Sequence, residues 1–275
     1  MITNFETNKV YLAKGMTIQC YEEVTRHLLD ALICKAVEWD FLPNTSSPFH
    51  IWTRDYMPIQ VSKEKFVSFM YEPDYLKDYP EYKPDTRTIL SGLDIKVIIS
   101  NIIVDGGNVI SCGDKVIMTD KIIRENPHYQ RNKLIDALSQ HLEAEIVLIP
   151  EDTYDEYGHA DGMVRYMGNN SVLLNNYCDF DKTLRKKLLA ALSPHFDISE
   201  QHYGAYTKWS WAYINFLHVG QHLFVPMLDG DKLGELAFMQ IAEAYSQCEC
   251  HPVWGFDNIV REGGALNCST WNVLK

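Results

Sequence analysis

Hydrophobic and polar positions repeat along the chain in a fixed order. Four segments each read as an apolar strand, a polar turn and a second apolar strand: DYMPIQVSKEKFVSFMY, VDGGNVISCGDKVIMTD, ADGMVRYMGNNSVLLNN and AYINFLHVGQHLFVPML. With Asp55, Asp105, Asp161, Tyr213 and Glu262 as markers, the steps are 50, 56, 52 and 49 residues. A period near one fifth of the chain predicts five similar structural units.

Turn and helix signals complete each unit. The turns CGDK, MGNNS and HVGQ supply the Gly and Asn residues that tolerate positive φ angles in hairpins. Apolar residues four apart then predict a helix after three hairpins: Leu134, Leu138 and Leu142; Leu184, Leu188 and Leu192; Ala237, Ile241 and Tyr245. Short apolar strands follow at IKVIIS, AEIVLIP, HFDISE and CECHPVW. The unit is therefore predicted to be ββαβ, with the proline-bearing stretch YEPDYLKDYPEYKPD forming a loop before a short helix in the first one.

The fifth unit is predicted to be built from both ends of the chain. EGGALNCSTW supplies only one strand, and the segment KVYLAKG resembles the second strands of the other units. A helical stripe of Val24, Leu28 and Leu32 and a closing strand at AVEWDFLP follow. We therefore expect an α/β ring of five pseudo-symmetric ββαβ units closed by the two termini, forming one domain over 1–275, with Cys268 on a paired strand.

Composition narrows the class of protein. Hydrophobic residues make up 46% of the 275 residues, which is enough for a substantial core. No apolar run approaches the ~18 residues of a membrane span, and MITNFETNKV lacks the features of a secretory signal. The seven cysteines are scattered and odd in number, which favours reduced thiols in a cytoplasmic protein. Cys248 and Cys250 form a lone C-x-C, a weak indication of metal binding.

The net charge of −12 limits the partners. A nucleic acid or an anionic membrane requires a basic surface, so neither is expected. A cationic small molecule would be attracted, although acidic charge alone also serves solubility.

The ring would bring distant residues together at its axis. The first strands would direct one end of each unit inward, so we expect convergence of 52–55, Asp105, 159–161, 213–215 and 262–268, with His159 and Asp161 on the same strand face. Each residue also has a plainer interpretation: Cys268 as a buried filler, His159 as a surface histidine, Asp55 as a partner of Arg54, Asp105 as a turn residue and Trp52 as a core aromatic.

Taken together, the residues indicate chemistry on a cation. A thiolate attacks carbon electrophiles, but two carboxylates beside it oppose its formation by like-charge repulsion. That combination is reasonable if the substrate brings a positive charge. A guanidinium is planar, offers five N–H donors and is bound well by carboxylates.

Four motifs carry a family resemblance. WTRDYMP, VDGGN, GHADGMVRY and REGGALNC, in this order, resemble the agmatine deiminase and bacterial-type peptidylarginine deiminase family of the guanidino-group-modifying enzymes. The resemblance spans nearly the whole chain and implies a five-bladed α/β propeller (the pentein fold) that requires no metal and no organic cofactor. It also implies a cytoplasmic enzyme of polyamine biosynthesis.

The resemblance assigns roles to residues at matched positions. Cys268 is similar to the family's nucleophile, and His159 to its general acid and base, with a covalent thiouronium intermediate on Cys268. Asp55 and Asp161 resemble the carboxylates that hold the guanidinium. Further candidates for substrate binding are Trp52, Asp105, Glu262 and Asn267.

This chain departs from the family pattern at a few positions. Met57 replaces the Gly of WxRDxGP, and Glu262 and Asn267 fall within the motif that often reads GGGNIHC. Agmatine is the first substrate candidate; the alternatives are an arginine or peptidyl-arginine deiminase, an amidinotransferase and a non-catalytic binding protein. The stretches from Glu72 to Pro84 and from Tyr206 to Tyr213 are candidates for the rim of the site. The second, with its two tryptophans, would also suit a homodimer contact.

Overall fold

Three-stranded sheets are the repeating element of the structure, a computed structural model that describes residues 1–205 and 208–275. In the described residues, strands β1 to β15 are Lys9–Ala13, Glu38–Leu42, Ile59–Ser62, Lys65–Met70, Val97–Ile103, Ile110–Ser111, Lys115–Thr119, Glu145–Ile149, Val164–Gly168, Ser171–Leu174, Asp197–Glu200, Leu217–Val219, His222–Met227, Glu249–Trp254 and Thr270–Val273. Helices α1 to α10 are Glu22–Cys34, Thr53–Tyr56, Thr86–Leu90, Lys121–Glu125, Arg131–Leu142, Tyr177–Phe180, Lys182–Leu192, Ser210–Ile214, Leu233–Ala244 and Asp257–Arg261. Short 3-10 turns lie at Lys14–Thr17, Pro48–His50, Asp74–Leu76, Pro80–Tyr82, Gly106–Asn108 and Ala160–Gly162.

Each sheet has the same internal order. In the sheet β3-β4-β5, the first pair is antiparallel and the second is parallel, and a helix lies in the crossover between β4 and β5. The sheets β6-β7-β8, β9-β10-β11 and β12-β13-β14 repeat this arrangement. The predicted ββαβ unit is confirmed.

Both ends of the chain build the remaining sheet, β15-β1-β2. Strand β1 pairs antiparallel with β15, in a register that places Lys9 opposite Val273, and parallel with β2. The prediction that the termini together complete a fifth unit is confirmed. The fold is a five-bladed α/β propeller.

Helical stripes cover the sheets as predicted. The inward-facing residues of α1, α5, α7 and α9, together with Tyr245 directly after α9, are buried, and they are the residues expected from the sequence: Val24, Leu28 and Leu32; Leu134, Leu138 and Leu142; Leu184, Leu188 and Leu192; Ala237, Ile241 and Tyr245. Hairpin turns use positive φ angles at Gly113, Gly168, Asn169, Asn170 and Gly220. The proline-bearing stretch forms two 3-10 turns before the short helix α3. Within the described residues, no helix has the length and apolar character needed to cross a membrane.

A short turn precedes the first strand of every blade. We call these five segments the inner turns: Thr53–Tyr56, Gly106–Asn108, Ala160–Gly162, Ser210–Ile214 and residues 266–269. The second inner turn contacts the first and the third, and the third contacts the fourth. The fifth immediately precedes β15, which contacts the first inner turn. The inner turns therefore form the centre of the propeller.

The inner turns correct one part of the sequence prediction. Cys268 was expected on a paired strand, but it lies in a turn, two residues before β15 begins. His159 and Asp161 were expected on one face of a strand, whereas His159 caps a 3-10 turn that contains Asp161. The physical reason is that the backbone must leave the extended conformation here, so that five chain segments can fit around one axis. Turns also direct backbone N–H groups toward neighbouring segments.

Candidate active site

The thiol of Cys268 lies beside a carboxylate in the fifth inner turn. Its Sγ is 3.5 Å from Oδ2 of Asp161, and its backbone N–H donates a hydrogen bond of 3.2 Å to Oδ1 of Asn215. The side chain is only 7% exposed. Burial, followed by the charges of Asp161 and Asp55, raises the pKa of the Cys268 thiol well above its usual range. In the empty site the sulfur is therefore a neutral thiol.

His159 lies between two aspartates. Its Nε2 is 2.9 Å from Oδ2 of Asp105, and its Nδ1 is 3.6 Å from Oδ1 of Asp55. Burial by itself lowers the pKa of His159, but the charge of Asp55 and the hydrogen bond with Asp105 outweigh it and raise the pKa to about 9. The imidazole is thus protonated at neutral pH, which suits a group that donates a proton to a leaving amine.

The second glycine of VDGGN allows this cluster to form. The N–H of Gly107 donates to Oδ1 of Asp55 at 2.9 Å. A Cβ atom at Gly107 would lie 2.7 Å from Nδ1 of His159, 2.8 Å from Oδ1 of Asp55 and 3.3 Å from Oδ2 of Asp161. Burial, opposed by the charge of His159 and reinforced by those of Asp105 and Asp161, raises the pKa of Asp55 to about 7. The side chains of His159, Asp55 and Asp161 therefore converge on Gly107, where the backbone has no side chain of its own.

A buried charge network extends behind His159. The Nζ of Lys121 is 2.5 Å from Oδ2 of Asp105 and 2.6 Å from Oε1 of Glu125, and none of these three side chains is more than 2% exposed. Burial opposes ionisation of both Asp105 and Lys121, but their mutual attraction lowers the pKa of Asp105 and raises that of Lys121. The sequence prediction did not include Lys121 or Glu125.

The network also holds part of the loop from Glu72 to Pro84. The N–H of Asp74 donates to Oε1 of Glu125 at 3.3 Å, and Nζ of Lys121 lies 5.1 Å from the centre of the Tyr75 ring. The Tyr75 ring in turn contacts the rings of Tyr157 and His159, with centroid distances of 5.0 and 6.0 Å. This loop was predicted as a rim, and it reaches the site through Tyr75.

Two of the three departures from the family pattern, Asn267 and Glu262, have different positions. The Nδ2 of Asn267 donates to Oδ2 of Asp161 at 2.7 Å, the same oxygen that lies near the thiol. Glu262 is exposed and accepts a hydrogen bond of 2.5 Å from the hydroxyl of Tyr21, while its carbonyl accepts one of 3.2 Å from Tyr157. Asn267 orients a carboxylate inside the site, and Glu262 lies at its edge.

The paired glycines before the thiol permit close aromatic packing. A Cβ at Gly264 would lie 2.1 Å from Cζ3 of Trp52, and one at Gly263 would lie 2.3 Å from the hydroxyl of Tyr157. Gly263 also has a φ of +96°. Trp52 therefore packs closely against the segment that leads to Cys268, and the plainer interpretation of Trp52 as a packing aromatic agrees with this contact.

A cavity of about 710 Å³ opens onto the thiol. Of the predicted site residues, His159, Asp161, Glu262 and Cys268 line it, whereas Trp52, Asp55, Asp105 and Asn267 are not among its lining residues. Acidic side chains outnumber basic ones among the described lining residues: Asp152, Asp155, Glu156, Asp161, Asp181 and Glu262 against Lys208 and Arg261. The cavity therefore favours a cation.

Trp209 and Trp211 lie in the wall of this cavity. They belong to the second stretch that the sequence predicted as a rim, of which Tyr206 and Thr207 lie outside the described residues. Asn215, which holds the Cys268 amide, also lines the cavity and was not among the predicted site residues.

Potential metal ligands occur away from the cavity. Cys178, Asp179 and His202 form one group, and His222, Glu249 and His251 form another. No residue of either group lines the cavity, and the C-x-C cysteines belong to neither group as far as the described residues show.

The thiol, imidazole and carboxylates at the cavity are the groups needed for nucleophilic attack, proton transfer and binding of a cation.

Comparison with known proteins identifies the family. The model of the Porphyromonas-type peptidyl-arginine deiminase family matches residues 1–273. No curated protein sequence matches the chain.

Solved structures show the same fold at low sequence identity. An agmatine deiminase variant of C. jejuni with substrate bound has 16% identity and a TM-score of 0.79, covering 100% of this chain and 96% of its own. The agmatine deiminase of Enterococcus faecalis has 15% identity and a TM-score of 0.75, covering 100% and 95%. A dimethylarginine dimethylaminohydrolase adduct has 14% identity and a TM-score of 0.63, covering 97% and 100%. At these identities the structures establish the fold, and the family model establishes the relationship. The chain belongs to the Porphyromonas-type peptidyl-arginine deiminase family, a family of hydrolases that act on the carbon–nitrogen bonds of linear amidines.

Proposed function

We propose that this protein is a cysteine-dependent deiminase that hydrolyses a small guanidine to a ureido compound and ammonia. Agmatine, which would give N-carbamoylputrescine, is the first substrate candidate. The observation that carries the proposal is the contact of 3.5 Å between the Cys268 thiol and the Asp161 carboxylate in an acidic cavity. The agmatine deiminase of C. jejuni, which shares the fold, has been solved with its substrate bound.

The substrate's charge would activate the nucleophile. Asp161 and Asp55 disfavour the Cys268 thiolate when the site is empty. A guanidinium bound to Asp161, with Asp55 as the second carboxylate behind it, would neutralise that repulsion and lower the pKa of the thiol. The nucleophile would therefore become reactive only when a cation is bound.

The proposed reaction has two halves. In the first, the Cys268 thiol, whose pKa the bound cation lowers, releases its proton to solvent, and the thiolate bonds to the guanidinium carbon. The C–N bond of the tetrahedral adduct then breaks, and His159 gives its proton to the departing amino group, which leaves as ammonia. This leaves a covalent thiouronium on sulfur. In the second half, His159 takes a proton from water, which bonds to the same carbon; the C–S bond then breaks and releases the ureido product. Asp161 and Asp55 stabilise the cationic path by their charge.

Turnover of defined guanidines tests the function. We expect ammonia and a ureido product from at least one of agmatine, free arginine and an arginine peptide, and a loss of about 10⁴-fold or more on Cys268→Ser. Cys34→Ser changes an exposed thiol and serves as the matched control. No product from any guanidine, or equal rates for the two variants, would contradict the proposal.

An added amine separates hydrolysis from group transfer. A deiminase gives the ureido product whether or not a primary amine is present. Transfer of the amidino group to the amine would identify an amidinotransferase instead. Saturable guanidine binding without any product would identify a non-catalytic binding protein.

A further inference from the structure

A second cavity borders the inner turns. Its volume is about 60 Å³, and its lining includes Arg54, Arg165, Asn267 and Asn272. Among the described residues it shares no lining residue with the large cavity. We call it the arginine chamber. It is much smaller than the ~300–1,000 Å³ typical of pockets for organic ligands, so only an ion or a few water molecules fit.

Arg165 is buried at the arginine chamber with both terminal nitrogens unpaired among the described residues. The side chain is 2% exposed, and neither Nη1 nor Nη2 forms a hydrogen bond within the described residues. Its guanidinium carbon lies 4.7 Å from the centre of the Phe216 ring. A buried charge with unused donors is costly unless a partner satisfies it.

Arg54 brings a second guanidinium to the same chamber. Its Nε donates to the carbonyl of Asn267 at 3.2 Å, and its Nη2 donates to Oδ1 of Asn272. Both acceptors are neutral. Burial and then the charge of Arg165 lower the pKa of Arg54 to about 10, so the two guanidiniums repel each other.

The chamber contains no acidic side chain among its described lining residues. This is unusual in a chain whose net charge is −12. Water could accept hydrogen bonds from Arg165, but it carries no charge. The carboxylates that attract the two guanidiniums, Asp161 for both and Asp55 for Arg54, do not line the chamber. A small anion would satisfy both the donors and the charge.

We propose that the arginine chamber binds one small monovalent inorganic anion, of the size of chloride, between Arg165 and Arg54. The proposal is independent of the guanidine reaction, because its test measures binding and not turnover. The site is nevertheless connected to the nucleophile: the backbone N–H of Arg54 donates to the carbonyl of Cys268 at 3.1 Å. The anion would thus contact a residue whose backbone is hydrogen-bonded to that of Cys268.

Thermal unfolding in two salts tests the proposal in solution. Sodium chloride is compared with sodium gluconate at equal ionic strength, since gluconate is too large for the chamber. We expect the Tm to rise saturably with chloride, by about 2 °C at a few times its dissociation constant. Arg165→Met should abolish the chloride effect, and Arg26→Met, at an exposed position, should retain it. Equal Tm values in the two salts for the wild-type protein would overturn the proposal.

Diffraction from crystals of the wild-type protein in sodium bromide provides a test that needs no variant. Bromide resembles chloride in charge and size and gives an anomalous signal. We expect an anomalous peak within hydrogen-bonding distance of Nη1 or Nη2 of Arg165. A chamber that contains only water in such crystals would overturn the proposal, including in the case where Arg165→Met fails to fold.

Discussion

His159 and Asp55 lie within 3.6 Å of each other, and their charges set the pH range of the proposed reaction. The pKa of Asp55 is raised to about 7 by burial and neighbouring carboxylates. The pKa of His159 is raised to about 9 by Asp55 and Asp105 against the effect of burial. The reaction needs Asp55 ionised and His159 protonated, and both conditions hold between these two values.

We therefore expect a bell-shaped pH profile of kcat/KM for the guanidine that is turned over. The acid limb falls as pH decreases through about 7, because Asp55 takes up a proton; the basic limb falls as pH rises through about 9, because His159 loses one. Steady-state rates between pH 5 and 10 measure both limbs. A constant kcat/KM from pH 5 to pH 7 would show that Asp55 has no part in binding the cation.

At this scale, the sequence is informative where glycine marks a close approach. The motifs VDGGN and REGGALNC carried the family resemblance, and Gly107 and Gly264 within them lie against side chains of the site. Lys121 and Glu125 give no such signal. A Lys and a Glu four residues apart look like an ordinary exposed pair on a helix, and only the tertiary structure buries them.

At the scale of elements, helix α4 connects the inner turns to the rim loop. It has five residues, yet it places Lys121 between Asp105 and Glu125 in the interior. Lys121 thereby supports the aspartate that contacts His159 and the glutamate that holds Asp74.

Lys121→Met tests this arrangement. We expect it to lower the free energy of unfolding by about 3–5 kcal/mol, because two buried carboxylates lose their shared cation. The double variant with Glu125→Gln removes one of those charges as well and should recover part of the loss. Urea denaturation of both variants measures the difference. If the double variant were less stable than Lys121→Met, the network would not be balanced by charge in the way described.

Elements were predicted well where the hydrophobic pattern has a clear period. The stripes on α1, α5, α7 and α9 and the hairpin turns follow from local sequence. The inner turns were missed, because a polar segment before an apolar strand reads equally well as the start of that strand. Their conformation follows from crowding at the axis, which involves five distant segments.

At the scale of the whole molecule, the pairing of β1 with β15 closes the ring. Trp271 of β15 is 3% exposed, packs near Tyr11 with ring centroids 5.2 Å apart, and donates from Nε1 to the carbonyl of Pro58 at 2.9 Å. It therefore contacts both the strand β1 and the segment that leads into the first blade. The repeat in the sequence was sufficient to predict this closure, because each terminal segment lacks what the other supplies.

We expect Trp271→Ala to lower the free energy of unfolding by about 3–5 kcal/mol, as for other large buried side chains. Trp254→Ala is the matched control, since Trp254 is 45% exposed, and it should change the free energy by less than about 1 kcal/mol. Urea unfolding followed by circular dichroism measures both. Similar losses for the two variants would mean that the closing strand is no more important than the surface.

Closure also bears on when the Cys268 thiol reaches its surroundings during folding. Cys268 lies two residues before β15, and β15 pairs with β1, which is distant in the sequence. Four sheets can pair from segments already available, but the fifth requires contacts between residues more than 250 positions apart, such as Lys9 and Val273. We therefore expect the thiol to enter its acidic surroundings late in folding. A nascent or truncated chain would carry an ordinary cysteine, and its reactivity toward a guanidine would begin with the finished ring.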